Sequence, residues 1–346
     1  MTYSVRMREK KLVAVLGASG YTGGELLRLL ASHPHFDVVA ATASSHAGTA
    51  VADHQPALAG AYPDLVFGPT DARAVQGADV VFCALPHGAS QHLVPELLEN
   101  GHHVVDLAAD FRLKDAGLYP AWYGAEHLCP QLLPLAVYGL PELDRESLPG
   151  AALVAAPGCY PTAAALALSP LVQSGSLQPV GIIVDAASGV SGAGRKLAEN
   201  TQFCTVDEDF VAYGLLSHRH TPEMEQAIGA ELLFTPHLAP MNRGILATCY
   251  ARPAEGHVGD PLDVLAKAYA SEPFVVVSER SPSTKATLGS NTAHVTARLD
   301  ERTGWVVAIC AIDNLVKGAA GQAVQCANAV MGWPETTGLP LAGLAP

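Results

Sequence analysis

Five apolar residues, Leu12-Val13-Ala14-Val15-Leu16, run straight into Gly17-Ala18-Ser19-Gly20-Tyr21-Thr22-Gly23-Gly24, and a leucine-rich stretch from Glu25 to His33 follows before Pro34. An apolar run without polar alternation suits a central parallel strand buried on both faces, and such strands sit in sheets covered by helices on each side. Glycines at 17, 20 and 23 permit a tight turn and close backbone approach. A strand that opens through spaced glycines into a helix is the setting of a dinucleotide-binding turn, where the helix N-terminus receives the pyrophosphate. The same residues also read as a glycine-rich turn with a purely structural role.

The alternation continues along the first half. Phe36 to Thr42 is a second strand, and Ala78 to Leu85 is another, closed by Pro86-His87-Gly88. A helical stretch reaches Asn100 and stops at Gly101, a residue suited to the left-handed cap. Val104 to Leu107 and Leu153 to Ala156 add further strands. This order predicts an α/β fold built on a Rossmann-like, doubly wound parallel sheet. An NAD site usually places an acid roughly twenty residues after the glycines, on the ribose 2′-hydroxyl. Residues 41–46 read Ala-Thr-Ala-Ser-Ser-His instead. Ser44, Ser45 and His46 can hydrogen-bond a 2′-phosphate that no carboxylate there repels, so NADP is favoured over NAD.

From about Val180 the pattern shifts to longer β-rich runs: 181–186, 231–234, 244–251, 273–277, 292–299 and 305–312, with a helix at 261–272. Several alternate polar and apolar residues, which predicts an α+β domain with a mostly antiparallel sheet and one solvated or partner-covered face. The last helix, Asn314 to Trp333, carries Gly318, Ala319, Ala320, Gly321 and Ala323, small residues that allow close docking on the first domain; an irregular tail, 338–346, follows. A chain of 346 residues exceeds the size at which single cores usually divide, so two domains are expected.

Composition excludes several functions. Twenty Lys and Arg against 33 Asp and Glu give a net charge of −13, and no basic block appears, which argues against nucleic acid as a partner. The seven cysteines are scattered without a CxxC pair, arguing against a disulfide framework or zinc cluster and for a reducing cytoplasm. Met1 to Lys11 lacks an apolar h-region, so no secretory signal is expected. The most apolar window, 151–172, is broken by Pro157, Gly158, Pro161 and Pro170 and does not suit a membrane helix.

Three motifs carry candidate chemistry. Pro157-Gly158-Cys159-Tyr160-Pro161-Thr162 places a cysteine between a strand end and a helix whose first position is Pro161. At the positive end of a helix dipole a thiol pKa falls and the reactive thiolate gains population; a buried, inert cysteine is the alternative. Ser188-Gly189-Val190-Ser191-Gly192-Ala193-Gly194-Arg195 is a glycine loop ending in a cation, able to cover an anion or a nicotinamide, or simply a mobile turn. His218-Arg219-His220-Thr221-Pro222-Glu223 offers an acid–base partner to a thiol, with Glu223 able to orient one imidazole. In an extended segment the two histidines would share a face with Arg219 opposite. A solvated turn is the plainer reading, and no Cys or acid completes a metal ligand set.

Together the motifs resemble the N-acetyl-gamma-glutamyl-phosphate reductase family of arginine biosynthesis, within the semialdehyde dehydrogenase group. Besides those above, the likeness rests on Ala109-Asp110-Phe111-Arg112-Leu113, Tyr138-Gly139-Leu140-Pro141-Glu142, Arg243-Gly244-Ile245-Leu246 and Ala311-Ile312-Asp313-Asn314-Leu315-Val316-Lys317-Gly318. The resemblance implies NADP(H) on Gly17, Ser19, Gly20, Tyr21, Thr22 and Gly23, along Ser44, Ser45, Leu85, Pro86 and His87, with Ser188, Gly189 and Asn314 near the nicotinamide. It implies Cys159 as nucleophile through a thioester, His220 as acid–base residue, and Arg112, His218, Glu223 and Arg195 as substrate-binding residues. The substrates it implies are a small acyl phosphate, its semialdehyde and phosphate. Residues 1–157 with 314–346 would form the cofactor domain and 158–313 the catalytic and oligomerisation domain, assembling a homodimer or homotetramer in the cytoplasm. The aminoadipyl reductase of lysine synthesis and aspartate-semialdehyde dehydrogenase are the neighbouring alternatives, Tyr160-Pro161 tilting the choice towards arginine. Rivals of other classes are an NADP-binding redox regulator without turnover and a thiol hydrolase without nucleotide.

Overall fold

The computed structural model describes residues 10–256 and 259–345. The polar leader on which the absence of a secretion signal was argued lies largely outside the described residues. Seven strands form the first sheet: β1 (Lys11–Leu16), β2 (Phe36–Thr42), β3 (Phe67–Gly68), β4 (Val80–Cys83), β5 (His103–Asp106), β6 (Val137–Tyr138) and β7 (Leu153–Ala155). Their spatial order is β3-β2-β1-β4-β5-β7-β6, with every pairing parallel. Val13 to Leu16 are fully buried, as an unbroken apolar run at a sheet centre requires. The order reverses at β1, which lies between β2 and β4, and a crevice opens there beyond the strands' carboxyl ends.

The longer helices are α1 (Tyr21–Leu30), α2 (Ser90–Glu99), α3 (Cys159–Gln173), α4 (Thr221–Ile228), α5 (Pro261–Ala268) and α6 (Gly321–Val330). α1 begins one residue after Gly20 and buries Leu26, Leu27, Leu29 and Leu30. Gly17 has φ +76°, and a Cβ there would stand 2.3 Å from the Ala84 carbonyl oxygen, so both the turn and the strand beside it require glycine.

The second sheet has the order β12-β13-β14-β11-β8-β10-β9, from β8 (Ile182–Gly189), β9 (Val211–Ala212), β10 (Leu232–Ala239), β11 (Ile245–Ala251), β12 (Val275–Val277), β13 (Ala293–Asp300) and β14 (Trp305–Ile312). Four of its six pairings are antiparallel. One face packs on α3, a helix apolar on all sides and buried from Tyr160 to Leu171. The opposite face carries the cross-strand rows Ile183–Tyr250–Val307 and Asp185–Thr248–Ile309, all only half-buried.

Three local expectations change. α3 starts at Cys159, so Pro161 is its third residue; first-turn amides have no intrahelical partner, and proline costs nothing there either. Of the two readings of residues 218–220 the turn holds and the extended segment does not: His220 sits at φ −81°, ψ −10° as the cap of α4. The final helix begins at Gly321, preceded by a wider π-turn at Val316–Ala320. Gly318 in that turn passes so close to the cysteine that a Cβ would lie 2.8 Å from Cys159 Cβ. α6 then packs against α1 and β5 in the core of the first sheet.

Candidate active site

A cleft of about 560 Å³ opens at the carboxyl ends of β1, β2 and β4 and reaches Cys159. A smaller pocket of about 320 Å³ continues from it towards Tyr160, Tyr213 and His218. The two share Cys159, Gly192, Ala193, Arg219 and His220. The larger cleft is lined by three arginines and no carboxylate, a charge balance opposite to that of the whole chain and suited to an anion.

The glycine turn supplies one end of that cleft. Gly20 caps α1 in an extended conformation with no side-chain cap, and no acidic residue stands in the first turn. The first-turn amides are therefore free of intrahelical partners and of competing carboxylates, which is the arrangement that binds phosphate. Ser19, Tyr21 and Thr22 line the cleft with Gly17, Gly20 and Gly23, and Ser44 and Ser45 close its far side. Leu85, Pro86, His87 and Asn314 line it as well. These observations fit a dinucleotide carrying an extra phosphate. Asn314 is fixed by the Gly244 amide, 2.7 Å from its Oδ1, and donates from Nδ2 to Ser191 Oγ at 3.0 Å.

His87 is held from below. Its Nδ1 lies 2.7 Å from Asp110 Oδ1, off the axis of a hydrogen bond, and its ring faces Tyr123 at 4.4 Å. Asp110 also accepts from the Gly88 and Ser90 amides and from Ser90 Oγ. Burial raises the Asp110 pKa, but the nearby His87 together with the Ser90 and Gly88 donors outweighs it and holds the carboxyl down at about 2. Asp110 is a functional candidate that sequence reasoning left without a role, although it stood in the Ala109–Leu113 motif.

Cys159 is the first residue of α3, and the elements around it converge on Gly158. A Cβ at residue 158 would meet His220 Nε2 at 2.6 Å and Arg112 Nη1 at 2.9 Å, so the missing side chain lets both groups approach the turn that carries Cys159. Burial pushes the Cys159 thiol above its ordinary value, against the pull of Arg112 and of the Tyr160 amide. The expected lowering by the helix end is thus overturned in the free protein: desolvation of the thiolate exceeds the gain from the dipole. Burial, with His218, Arg112 and Arg219 nearby, likewise takes His220 well below an ordinary histidine, leaving a neutral imidazole whose Nδ1 is buried without a partner. His218 stands behind it: its Nδ1 accepts from the His220 amide at 3.2 Å, and burial together with Arg219 lowers its pKa to about 4.

Arg112 and Glu223 brace this turn. Arg112 donates from Nε to the Ala156 carbonyl and from Nη2 to the Leu107 carbonyl, both at 2.8 Å, and its Nη1 lies 3.3 Å from Glu223 Oε2. Glu223 Oε1 accepts from the Gly158 amide at 2.8 Å and from Tyr138 Oη at 3.0 Å. The Glu223 side chain is fully buried and lines neither pocket. Its expected contact with substrate is therefore corrected: the first turn of α4 points it inward, where its charge caps α3. Nor does it hydrogen-bond either histidine.

Four other residues also depart from the expected positions. Arg195 is placed at the glycine turn, donating to the carbonyls of Ser19 (3.2 Å) and His54 (3.3 Å), rather than beside Cys159, because the loop from β8 folds over the cofactor end of the cleft. Ser188 lines the smaller pocket instead of the cofactor cleft, and Gly189 lines neither. A Cβ on Gly189 would meet Met241 O and Arg243 N at 2.8 Å, so its role is to admit the neighbouring loop. Arg219, expected to face away, lines both pockets because the turn does not alternate faces.

Comparison with known proteins places the chain in a family. The chain is 51% identical over 337 residues to N-acetyl-gamma-glutamyl-phosphate reductase of Magnetococcus marinus, covering 94% of this chain and 96% of the relative. The chain belongs to the N-acetyl-gamma-glutamyl-phosphate reductase family. A second member of that family, from Desulforudis audaxviator, is 48% identical over 344 residues, covering 96% and 99% of the two chains. The reductase family lies within the semialdehyde dehydrogenases: the model of the semialdehyde dehydrogenase NAD binding domain matches residues 12–151 and that of the dimerisation domain residues 159–314. Solved structures with the same fold include aspartate semialdehyde dehydrogenase II of Vibrio cholerae complexed with ASA (TM-score 0.71, 15% identity, 94% of this chain and 99% of that one). Another is aspartate semialdehyde dehydrogenase with NADP from Candida albicans (TM-score 0.70, 16% identity, 93% and 98% coverage).

Proposed function

We propose that this chain reduces N-acetyl-glutamyl 5-phosphate to N-acetyl-glutamate 5-semialdehyde and phosphate, reversibly, in arginine biosynthesis. The observation that carries the reading is a cysteine at a helix N-terminus, abutted by a neutral imidazole and an arginine, at the junction of an anion-suited dinucleotide cleft and a second pocket. NADPH, held by the glycine turn with Ser44 and Ser45 at its 2′-phosphate and with Leu85, Pro86, His87 and Asn314 along the cleft, supplies a hydride when bound.

The remaining work falls to side chains. Cys159 Sγ attacks the acyl carbonyl, the carbon–oxygen bond to phosphate breaks, and a thioester remains; covalent capture divides one hard displacement into two easier steps. The proton leaving Sγ is taken by His220, which a neutral imidazole can do and an imidazolium cannot. The resulting imidazolium stabilises negative charge on the carbonyl oxygen when the thioester is reduced; the carbon–sulfur bond then breaks, the aldehyde leaves, and the Cys159 sulfur takes its proton back from His220. Arg112 retains donors beyond its three protein bonds and is suited to an anionic group of the substrate. His218 fixes the cap backbone that carries His220.

Residues up to 157 with 314–346 form the cofactor unit in this reading, and 158–313 the catalytic unit, supported by the packing of α6 on α1 and β5. The half-buried outer rows of the second sheet would pair with a second copy to give a homodimer or homotetramer. No helix among the described residues is long and apolar enough to cross a membrane, and we place the enzyme in the cytoplasm. The test is phosphate-dependent reduction of NADP with N-acetyl-glutamate semialdehyde, run beside Cys159→Ala. Turnover in the parent with essentially none in the variant is expected, and equal rates would refute the reading.

A further inference from the structure

We propose that Arg219 holds the carboxylate of the acyl substrate in the smaller pocket, an inference that rests on the reductase reading above. The substrate is anionic at both ends, with the acyl phosphate at one and the α-carboxylate at the other. Once the carbonyl is at Cys159 and the dinucleotide fills the glycine-turn end, the acyl chain has the smaller pocket to enter. The walls of that pocket are otherwise uncharged: Arg219 is its one arginine or lysine, no aspartate or glutamate lines it, and both histidines are held neutral. An ionised carboxylate entering such a space loses hydration that neutral walls replace poorly. It also approaches a chain of net charge −13, so a local cation is needed.

Arg219 is free to be that cation. Among the described residues its guanidinium forms no salt bridge, while its carbonyl accepts from Tyr123 Oη at 3.3 Å and ties the turn to the short helix Leu118–Tyr123. Arg112, by contrast, has its guanidinium engaged with Glu223, Ala156 and Leu107 and lines only the larger cleft, which leaves it the phosphate end in this assignment. The two arginines thus serve opposite ends of one substrate.

The experiment uses the full-length enzyme in the oxidative direction with N-acetyl-glutamate semialdehyde, NADP and inorganic phosphate, for the parent, Arg219→Gln and Arg219→Lys. Arg219→Gln is expected to raise KM for the semialdehyde roughly 10- to 100-fold, the size of a charge-assisted hydrogen bond, with KM for phosphate unchanged and partial recovery in Arg219→Lys. With 4-acetamidobutanal, which is the same aldehyde without the carboxylate, parent and Arg219→Gln should become equivalent. A rise in KM for phosphate instead, or discrimination between the two aldehydes that survives in Arg219→Gln, overturns the assignment. Arg219 is exposed, so circular dichroism of the variant should match the parent. A parent without phosphate-dependent turnover sinks the reductase reading itself, and this assignment with it.

Discussion

Gly158→Ala separates the placement of His220 and Arg112 from other contributions to catalysis. Gly158 has φ −67° and ψ 156°, an ordinary extended conformation, so alanine introduces no backbone strain. Its Cβ would stand 2.6 Å from His220 Nε2, 2.8 Å from Cε1 and 2.9 Å from Arg112 Nη1, whereas ordinary contact begins near 3.4 Å. The imidazole must retreat by 3.4 minus 2.6, or about 0.8 Å, and displacements near 1 Å in a catalytic group cost about 100-fold in rate. Overpacking costs about 1–3 kcal/mol, and reduced freedom of the unfolded chain returns about 0.4–1 kcal/mol, so the variant should stay folded. The assay is kcat for phosphate-dependent NADP reduction, with circular dichroism and urea unfolding as controls. Alkylation by iodoacetamide confirms that Cys159 is still presented. A folded variant with parental kcat would show that the close approach of His220 to the nucleophile turn is catalytically irrelevant.

Three further outcomes are expected. Glu223→Gln keeps an acceptor for the Gly158 amide but leaves the buried Arg112 charge without its partner; urea unfolding should show a loss of about 3–5 kcal/mol, and unchanged stability would mean the pair is not holding the turn. The raised Cys159 pKa means that the reactive thiolate appears only as pH climbs through and above the ordinary thiol value, about 8.5. Iodoacetamide inactivation of the free enzyme should therefore rise about tenfold per pH unit from pH 7 upwards, and a rate already flat at pH 7 contradicts the burial argument. Ser44→Asp places a carboxylate where the 2′-phosphate is expected, so KM for NADP should rise while that for NAD falls; equal effects on both would remove Ser44 from the cofactor site.

The parallel sheet was legible because its signals are local. An apolar run, spaced glycines and a leucine stripe each declare themselves within about ten residues, and β2 occupies the residues read for it. Cys159, His220 and Arg112 were legible as motif members, although nothing in the spacing of residues 112, 159 and 220 states that they meet. The errors arose where tertiary packing outweighs local signs. The thiol was expected to be acidified by its helix, but how deeply the surrounding chain buries it is not a local property. Residues 218–220 left both a turn and an extended segment open, and only the extended one turned Arg219 away, since Pro222 marks the helix start without fixing the turn before it. Glu223 and Arg195 went to the substrate because charged residues in motifs invite that assignment, while the fold spends one on a helix cap and the other on turn carbonyls.

Gly318 has a consequence for how the chain comes into being. The residue that backs Cys159 lies 159 positions further along the polypeptide, in the segment that leads into α6. A ribosome must pass residue 318 before Cys159 can settle into its finished surroundings. Chains shorter than this thus carry the thiol without the neighbour that completes its seat.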